Sequence, residues 1–547
     1  MKRFSQTRLA ALGLAVGVGI FALPSCKLDR FPEYELSTDT VYNSLGGMRQ
    51  VMAKLYSSLM LTGQKGGAGA ADISFDDEGF TSYTRQLWKA QEVTTDEAVL
   101  AWGDAGAQEY NKLSLDPSNT YSSMMYSRIF FQVAICNDFL RNTTDSQLKS
   151  RGIGDNDLAA VKILRAEARF LRALSYWHAL DMFGNVPFVT EADPVGAFQP
   201  QQKSRADLFN YVEAELKEID ADLLAPRQNE YPRADKAAAW MVLAKLYQNA
   251  RVYTGQERNT DCLTYCNRII GAGYQLQTAR TASATAYSRN FLADNNTSPE
   301  VIFAVASDGQ RTQSYGGTTF MVHASFDQNI PARTYGVGSG WAGLRTRPEF
   351  VALFGSDTTG QNDQRASFVR YPVQRLNIRA LTTFGDGYAI VKYRNVTSGG
   401  VTGSDPANFV DTDYPMFRLA DVYLMYAEAV LRGGQGGDAN TALGYVNALR
   451  DRAFGNNNGR VTLAQMSVRD ADNHPTFILD ERGRELYWEG HRRTDLIRYD
   501  RFTTAKKLWQ WKGGTPGGRA VSDAFNLFPL PFADLSVNQN LKQNPGY

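Results

Sequence analysis

Residues 163–187 read ILRAEARFLRALSYWHALDMFGNVP, and their spacing decides the fold class. Ile163, Ala166, Phe170, Ala173, Trp177 and Leu180 recur at intervals of three and four, which puts them on one stripe of an α-helix. Gly184-Asn185-Val186-Pro187 then ends it, since proline has no N–H to donate and glycine readily leaves helical dihedrals. Large and small residues alternate along the stripe, so a neighbouring helix can come close and interdigitate. The same rhythm returns further along the chain. Trp240, Leu243, Tyr247 and Ala250 form one stripe, and Phe417, Ala420, Leu424, Ala427 and Leu431 form another.

Each stripe is followed by a break and a second helical stretch. Ser204 is placed to cap the helix that follows the first. A helix near Asp261–Ile270 follows the second. Gly433-Gly434-Gln435-Gly436-Gly437 separates the third from a partner over Asp438 to about Arg452. Helix–turn–helix units of roughly 34 residues with small and aromatic positions read as degenerate tetratricopeptide repeats. About four such pairs are expected, and because they are not contiguous they must meet in space. The stretches 62–120 and 272–415 are rich in Gly, Ser, Thr and Asn and read as long loops with short helices and occasional hairpins. The expected fold is therefore mainly α: a tetratricopeptide-like helix-pair scaffold of about four pairs, with long irregular loops and a few short β-hairpins. Loops of that length in a compact protein usually carry function.

Composition narrows the function. The 547 residues carry 58 Lys and Arg against 57 Asp and Glu, a formal charge of +1, so no field exists to hold a nucleic-acid backbone. Four histidines leave little material for a histidine-rich metal site, whereas 29 Phe, 27 Tyr and 8 Trp supply many flat surfaces. Lys2, Arg3 and Arg8 precede an apolar run from Leu9 to Leu23, the pattern of a secretory signal and too short to span a membrane. Leu23-Pro24-Ser25-Cys26 resembles a bacterial lipobox, which makes Cys26 the lipid attachment site and residues 1–25 the signal peptide. Cleavage removes three basic residues and leaves a charge of +1 − 3 = −2. Cys262 and Cys266 stand four apart in an expected helix, a spacing of neighbours on one face rather than of a disulfide.

Catalytic motifs are scarce. Gly338, Gly340 and Gly343 match G-x-G-x-x-G, but no strand–turn–helix unit surrounds them. Asp155-Asn156-Asp157 and Asp470-Ala471-Asp472 do not continue into a calcium-binding loop and read as turns or helix caps. Asp76-Asp77-Glu78 and Asp96-Glu97 offer carboxylate pairs of the kind glycoside hydrolysis uses. The richest pattern is aromatic residues among amides and charges in Gly-rich loops: Trp88, Trp102 and Asp104 in one, Tyr315, Tyr335 and Trp341 in another. An aromatic plane can cover the C–H face of a sugar while polar side chains take its hydroxyls. The charged run Glu481–Arg498 reads as an ion-pair lattice between helices, with Glu481 and Glu485 meeting Arg484 and Arg482, and Glu489 meeting Arg492 or Arg493.

Six segments then carry a resemblance: TTDEAVLAWG (94–103), RAEARFLRALSYWHALDMFGNVPFV (165–189), SGWAGLRTRPEFVALFG (339–355), YPMFRLADVYLMYAEAVLR (414–432), ERGRELYWEGHRRTDLIRY (481–499) and LFPLPFADLSVNQNLKQNPGY (527–547). With the lipobox, and in this order, the chain resembles the SusD/RagB-type outer-membrane nutrient-binding lipoproteins of Bacteroidetes. The resemblance implies a non-catalytic lipoprotein of the outer membrane, anchored by its lipid and facing the cell exterior. It implies capture of a nutrient, with an oligosaccharide as the expected ligand, and its delivery to a SusC-like TonB-dependent transporter. No cofactor is implied, and no motif supports a structural calcium. Ligand-binding residues carried over are Trp102, Asp104 and Trp341, with Arg85, Asp76 and Tyr315 as looser transfers. Residues 26–271 then form an N-terminal region with helix pairs and an early binding loop, and residues 272–547 a C-terminal region with binding loops and further pairs. Lys27-Leu28-Asp29-Arg30 departs from the family in lacking the acidic cluster often associated with surface export. Two other readings compete: a helical-toroid glycosidase or lyase, and a tetratricopeptide scaffold that binds only proteins.

Overall fold

The stripe at 163–180 lies in a helix of 28 residues, Asp155–Met182. It belongs to a computed structural model that describes residues 38–547 apart from 65, 68–70, 74, 76–78, 356 and 371–373. The signal segment, Cys26 and Asp76 lie outside the described residues. The scaffold and its attachments are built from α1 (Leu45–Ser57), α2 (Tyr83–Glu92), α3 (Ala105–Lys112), α4 (Thr120–Asn142), α5 (Asp155–Met182), α6 (Arg205–Glu218), α7 (Lys236–Gln248), α8 (Asn259–Ile270), α9 (Gly317–His323), α10 (Leu419–Leu431), α11 (Ala439–Phe454), α12 (Thr476–Leu486) and α13 (Arg492–Arg498). Helices α4, α5 and α6 pack in series, as do α7, α8, α10 and α11, and α7 joins the two series through α6 and α5. Separated pairs thus meet in space, as stacked repeats must if each is to bury its apolar face. No helix among the described residues is long and apolar enough to cross a membrane.

Local chemistry sets the helix ends. Ser204 accepts a hydrogen bond from the Asp207 N–H, Asp235 from Ala237 and Ala238, and Asp438 from Asn440 and Thr441, each satisfying donors that a helix start leaves open. Small residues permit the close packing: Ala166, Ala168, Ala173 and Ala179 are buried along α5 between Phe170, Leu174 and Tyr176. Cys262 and Cys266 are buried on one face of α8 with their Sγ atoms 4.0 Å apart.

Two stripes differ from the periodicity reading. Helix α7 is buried nearly all round, and Trp240 is its half-exposed edge, donating from Nε1 to Asp220 Oδ1. A helix apolar on every face belongs at the centre of a structure rather than at its surface. Phe417 is not helical: it lies in β8 (Tyr414–Arg418), opposite Phe303 of β4 (Val301–Val305), and α10 starts two residues later. The other antiparallel pairs are β1 (Val99–Leu100) with β5 (Leu344–Arg345), β2 (Val186–Pro187) with β3 (Gln202–Lys203), and β6 (Phe368–Val369) with β7 (Ala389–Ile390). The β1–β5 and β4–β8 ladders join distant segments and fasten loops to the scaffold.

The charged run 481–498 is an ion lattice, though most of its partners are remote. Glu481 does meet Arg484, at 2.7 Å. Glu485, however, takes Arg418 at 2.7 Å and also Arg452, while Glu489 takes Arg418 at 2.6 Å and Lys392 at 2.6 Å. Arg482 reaches Asp421 at 2.8 Å and Asp495 at 2.7 Å, and Arg492 reaches Asp96 at 2.8 Å. All these groups except Arg484 are essentially buried, so each charge depends on its partner. Burial alone would raise the Glu485 carboxyl, but Arg452, Arg418 and Arg365 outweigh it and hold it down at about 2. His491 lies within this lattice, its basicity pushed far down by burial and by Lys245.

Candidate ligand-binding site

One ladder decides where two of the tryptophans meet. In β1–β5, Leu100 faces Leu344 and Val99 faces Arg345, and the Ala101 N–H donates to the Gly343 carbonyl at 2.8 Å. Because the strands run antiparallel, the chain leaving β1 and the chain entering β5 emerge at the same end. Trp102 follows Leu100 by two residues and Trp341 precedes Leu344 by three, so both rings arrive together. Trp102 Nε1 donates to the Trp341 carbonyl at 3.1 Å. Gly343 makes the approach possible: a Cβ there would stand 3.1 Å from Trp102 Cε2 and 3.2 Å from the Ala324 methyl. The glycines of the G-x-G-x-x-G match thus serve close packing of chain on chain.

Buried arginines hold this ladder from below. Arg345 donates to the carbonyls of Leu381, Thr383 and Asp386, and Arg347 to those of Ala98, Asn111 and Gln510. Main-chain carbonyls partner both guanidiniums, so the segment that follows Trp341 is tied to the 381–386 loop, to the residue before β1, to α3 and to the chain at Gln510.

Tyr315 joins from a third segment. Its ring meets Trp341 edge-on at 5.9 Å and leans against Phe409 at 5.0 Å. Trp341 stacks on the His323 ring at 4.6 Å with 17° between planes. His323 closes α9, and its two ring nitrogens face the carbonyls of Ser339 at 2.8 Å and Asn408 at 2.7 Å. Burial lowers its basicity, although both carbonyls favour the proton. Arg85, on α2 and buried, lies 4.5 Å over the Phe320 ring and 5.5 Å over Trp102, and donates to the Tyr315 carbonyl at 3.2 Å. Trp102, Tyr315 and Trp341 are each half-buried and held by these contacts.

The structure therefore brings together Trp102, Tyr315, Trp341 and Arg85. Asp104 is exposed and caps α3, its Oδ1 accepting from the Ala107 N–H at 3.1 Å. Burial raises the Tyr121 phenol, and the Asp104 carboxylate, hydrogen-bonded to it, raises it further. Asp76, with its neighbours Asp77 and Glu78, lies outside the described residues. Tyr335 belongs elsewhere, stacked on Phe326 at 4.6 Å, and Trp88 is wholly buried against Trp488. Phe409, His323 and Phe320 carry no pattern that sequence reasoning found. The available signal was a lone aromatic in the loop SDPANFV and one of the chain's four histidines.

The carboxylate candidates Asp96 and Glu97 are sealed inside. Asp96 is held by Arg492 and by Lys507 at 3.0 Å, and Glu97 accepts from the Trp488 N–H at 3.0 Å. Glu97 lies beside Glu92, whose carboxyl burial raises to about 7. Neither group can reach a substrate. Among the described residues, Asp470, Asp472 and His474 converge as possible metal ligands. Their carboxylates are already engaged, Asp470 by Arg501 at 2.9 Å and Asp472 by Lys506 at 2.9 Å. Neither the apolar cleft of about 400 Å³ beside α1 nor the polar one of about 720 Å³ beside Tyr231 takes in the ring cluster.

Known proteins share this fold. A model of the SusD family matches residues 362–547. The starch-binding protein SusD of Bacteroides thetaiotaomicron is 35% identical over 543 residues, spanning 91% of this chain and 92% of that protein. Surface glycan-binding protein A from Bacteroides fluxus shares the fold with a TM-score of 0.67 at 21% identity, covering 92% of this chain and 100% of that one. Surface glycan-binding protein A from Bacteroides thetaiotaomicron, solved in complex with laminarihexaose, does so with a TM-score of 0.66 at 20% identity, covering 91% and 99%.

Proposed function

The chain belongs to the SusD family, and from that premise we propose that it is a non-catalytic surface lipoprotein that binds an oligosaccharide on the rings of Trp102, Tyr315 and Trp341. In this reading Cys26 carries the lipid that holds it to the outer membrane, and the captured glycan passes to a TonB-dependent transporter. The observation that carries the proposal is the convergence of three half-buried rings from segments up to 239 residues apart, each held by its neighbours. Rings fixed before the ligand arrives lose little freedom on binding, so their apolar faces contribute most of their area to affinity. Starch-binding SusD and the laminarihexaose complex supply the ligand class by relationship.

The test is calorimetric titration of residues 27–547 against α- and β-glucan oligosaccharides, repeated with Trp102→Ala and Trp341→Ala. Saturable binding that these variants weaken by about 1–3 kcal/mol is expected, with the sugar recovered unchanged. Binding that ignores both substitutions, or a shortened sugar after incubation, would sink the reading.

A further inference from the structure

The chain from 409 to 413 leads out of the ring cluster into a second open cleft. Phe409 leans on Tyr315, while Asp411 and Asp413 line a polar cleft of about 720 Å³. No turn or bend interrupts 409–413, so the path covers at most about 14 Å. Across this cleft stands Tyr231, an aromatic residue 47% exposed. Its hydroxyl donates to Asp413 Oδ2, and the other oxygen of Asp413 accepts from the Ser307 N–H at 2.7 Å. The ring is thus held by its tip with its body left open, as the Trp102 indole is held through Nε1. Amide, hydroxyl and guanidinium groups surround it: Asn296, Gln310, Ser404 and Arg311. Arg311 is 86% exposed and, among the described residues, makes a loose 3.7 Å contact with Asp308.

We propose that this cleft is a second carbohydrate subsite, with Tyr231 as its platform, engaged by neutral chains long enough to leave the ring cluster and reach it. The proposal rests on the glycan reading of that cluster and extends it to chain length. A neutral ligand fits because Asp308, Asp411 and Asp413 repel anions while the ring offers an apolar plane. A sugar bound at the cluster holds its own continuation near Tyr231, so a weak second contact adds to affinity without a second encounter.

The experiment titrates the protein with maltotriose and maltoheptaose, and with laminaritriose and laminarihexaose. Tyr231→Ala and, separately, Arg311→Ala are expected to lower affinity for the longer member of the bound series by about fivefold to tenfold. The trisaccharide should bind each variant as it binds the parent, whereas Trp102→Ala should weaken both lengths. Unchanged long-chain affinity in Tyr231→Ala overturns the subsite and leaves the cluster reading standing. If Tyr231→Ala weakens both lengths equally, local unfolding is at work, and Arg311→Ala decides: no length-dependent loss there overturns the proposal. Long-chain binding that survives Trp102→Ala but not Tyr231→Ala keeps the cleft and removes the cluster. A parent protein that binds none of the four sugars overturns both.

Discussion

The ring cluster and the buried ion lattice both join parts of the chain that are hundreds of residues apart, and they do so with opposite materials. The lattice uses charges that are fully buried: Arg418 alone serves Glu300, Glu485 and Glu489. Such groups are costly to desolvate and tolerate few arrangements, so their joint satisfaction selects one packing of α10, α12 and the β4 region. The cluster uses rings and one buried arginine, with main-chain carbonyls as acceptors. Rings gain from contact on one side without needing a partner on the other, which leaves faces for a ligand. Rigidity and availability are therefore assigned to different chemistries in one molecule.

The largest test of that division is Arg418→Met. It strips three buried carboxylates of a shared partner and should cost about 3–5 kcal/mol of stability, read as a lower urea midpoint. An unchanged midpoint would mean that the lattice does not select the packing. Trp102→Ala should give the reverse pattern. Sugar affinity falls by about 1–3 kcal/mol while the urea midpoint moves little, because the ring is half-open rather than enclosed.

Acidity separates the regions further. Burial raises the Glu92 carboxyl from 4.5 to about 7, so the stability it contributes is complete below 4.5 and is lost as pH rises through about 7. Glu485, held at about 2, acts with the opposite sign: its contribution is present above 4.5 and is lost as pH falls towards 2. Thermal midpoints should therefore decline on both sides of mildly acidic pH, and Glu92→Gln should flatten the upper limb, leaving the part that Glu97, also raised by burial, contributes. A variant whose upper limb matches the parent would show that Glu92 titrates normally. The smallest effect is expected from Gly343→Ala, whose methyl would crowd the Trp102 ring from 3.1 Å. It should cost about 1 kcal/mol or less of affinity, with no change in the lattice-dependent acid limb.

How far these features could be read in advance varies with the range of the interaction. The helix over 155–182 and the caps at Ser204 and Asp438 follow from periodicity and local hydrogen bonding, which a short window contains. Phe417 reads as helical because a period of three or four also fits a strand that runs directly into a helix, and its true neighbour, Phe303, is more than a hundred residues away. Glu485 and Glu489 looked satisfied by near neighbours, yet their partners come from Arg418, Arg452 and Lys392. Trp102 and Trp341 stand out as aromatics in Gly-rich loops and again through family likeness, whereas Phe409 and His323 carry no such signal.

The sequence by itself determined the helical scaffold, since apolar spacing, caps and helix breakers act within a few residues of one another. It also determined the family, through motifs that stand in order along the chain. Tertiary structure alone decided which rings share a surface and which carboxylates are sealed away. The β1–β5 register that brings Trp102 to Trp341 is a pairing of segments more than two hundred residues apart. Burial, which separates Asp96 from an exposed Asp104, exists only once the chain has folded.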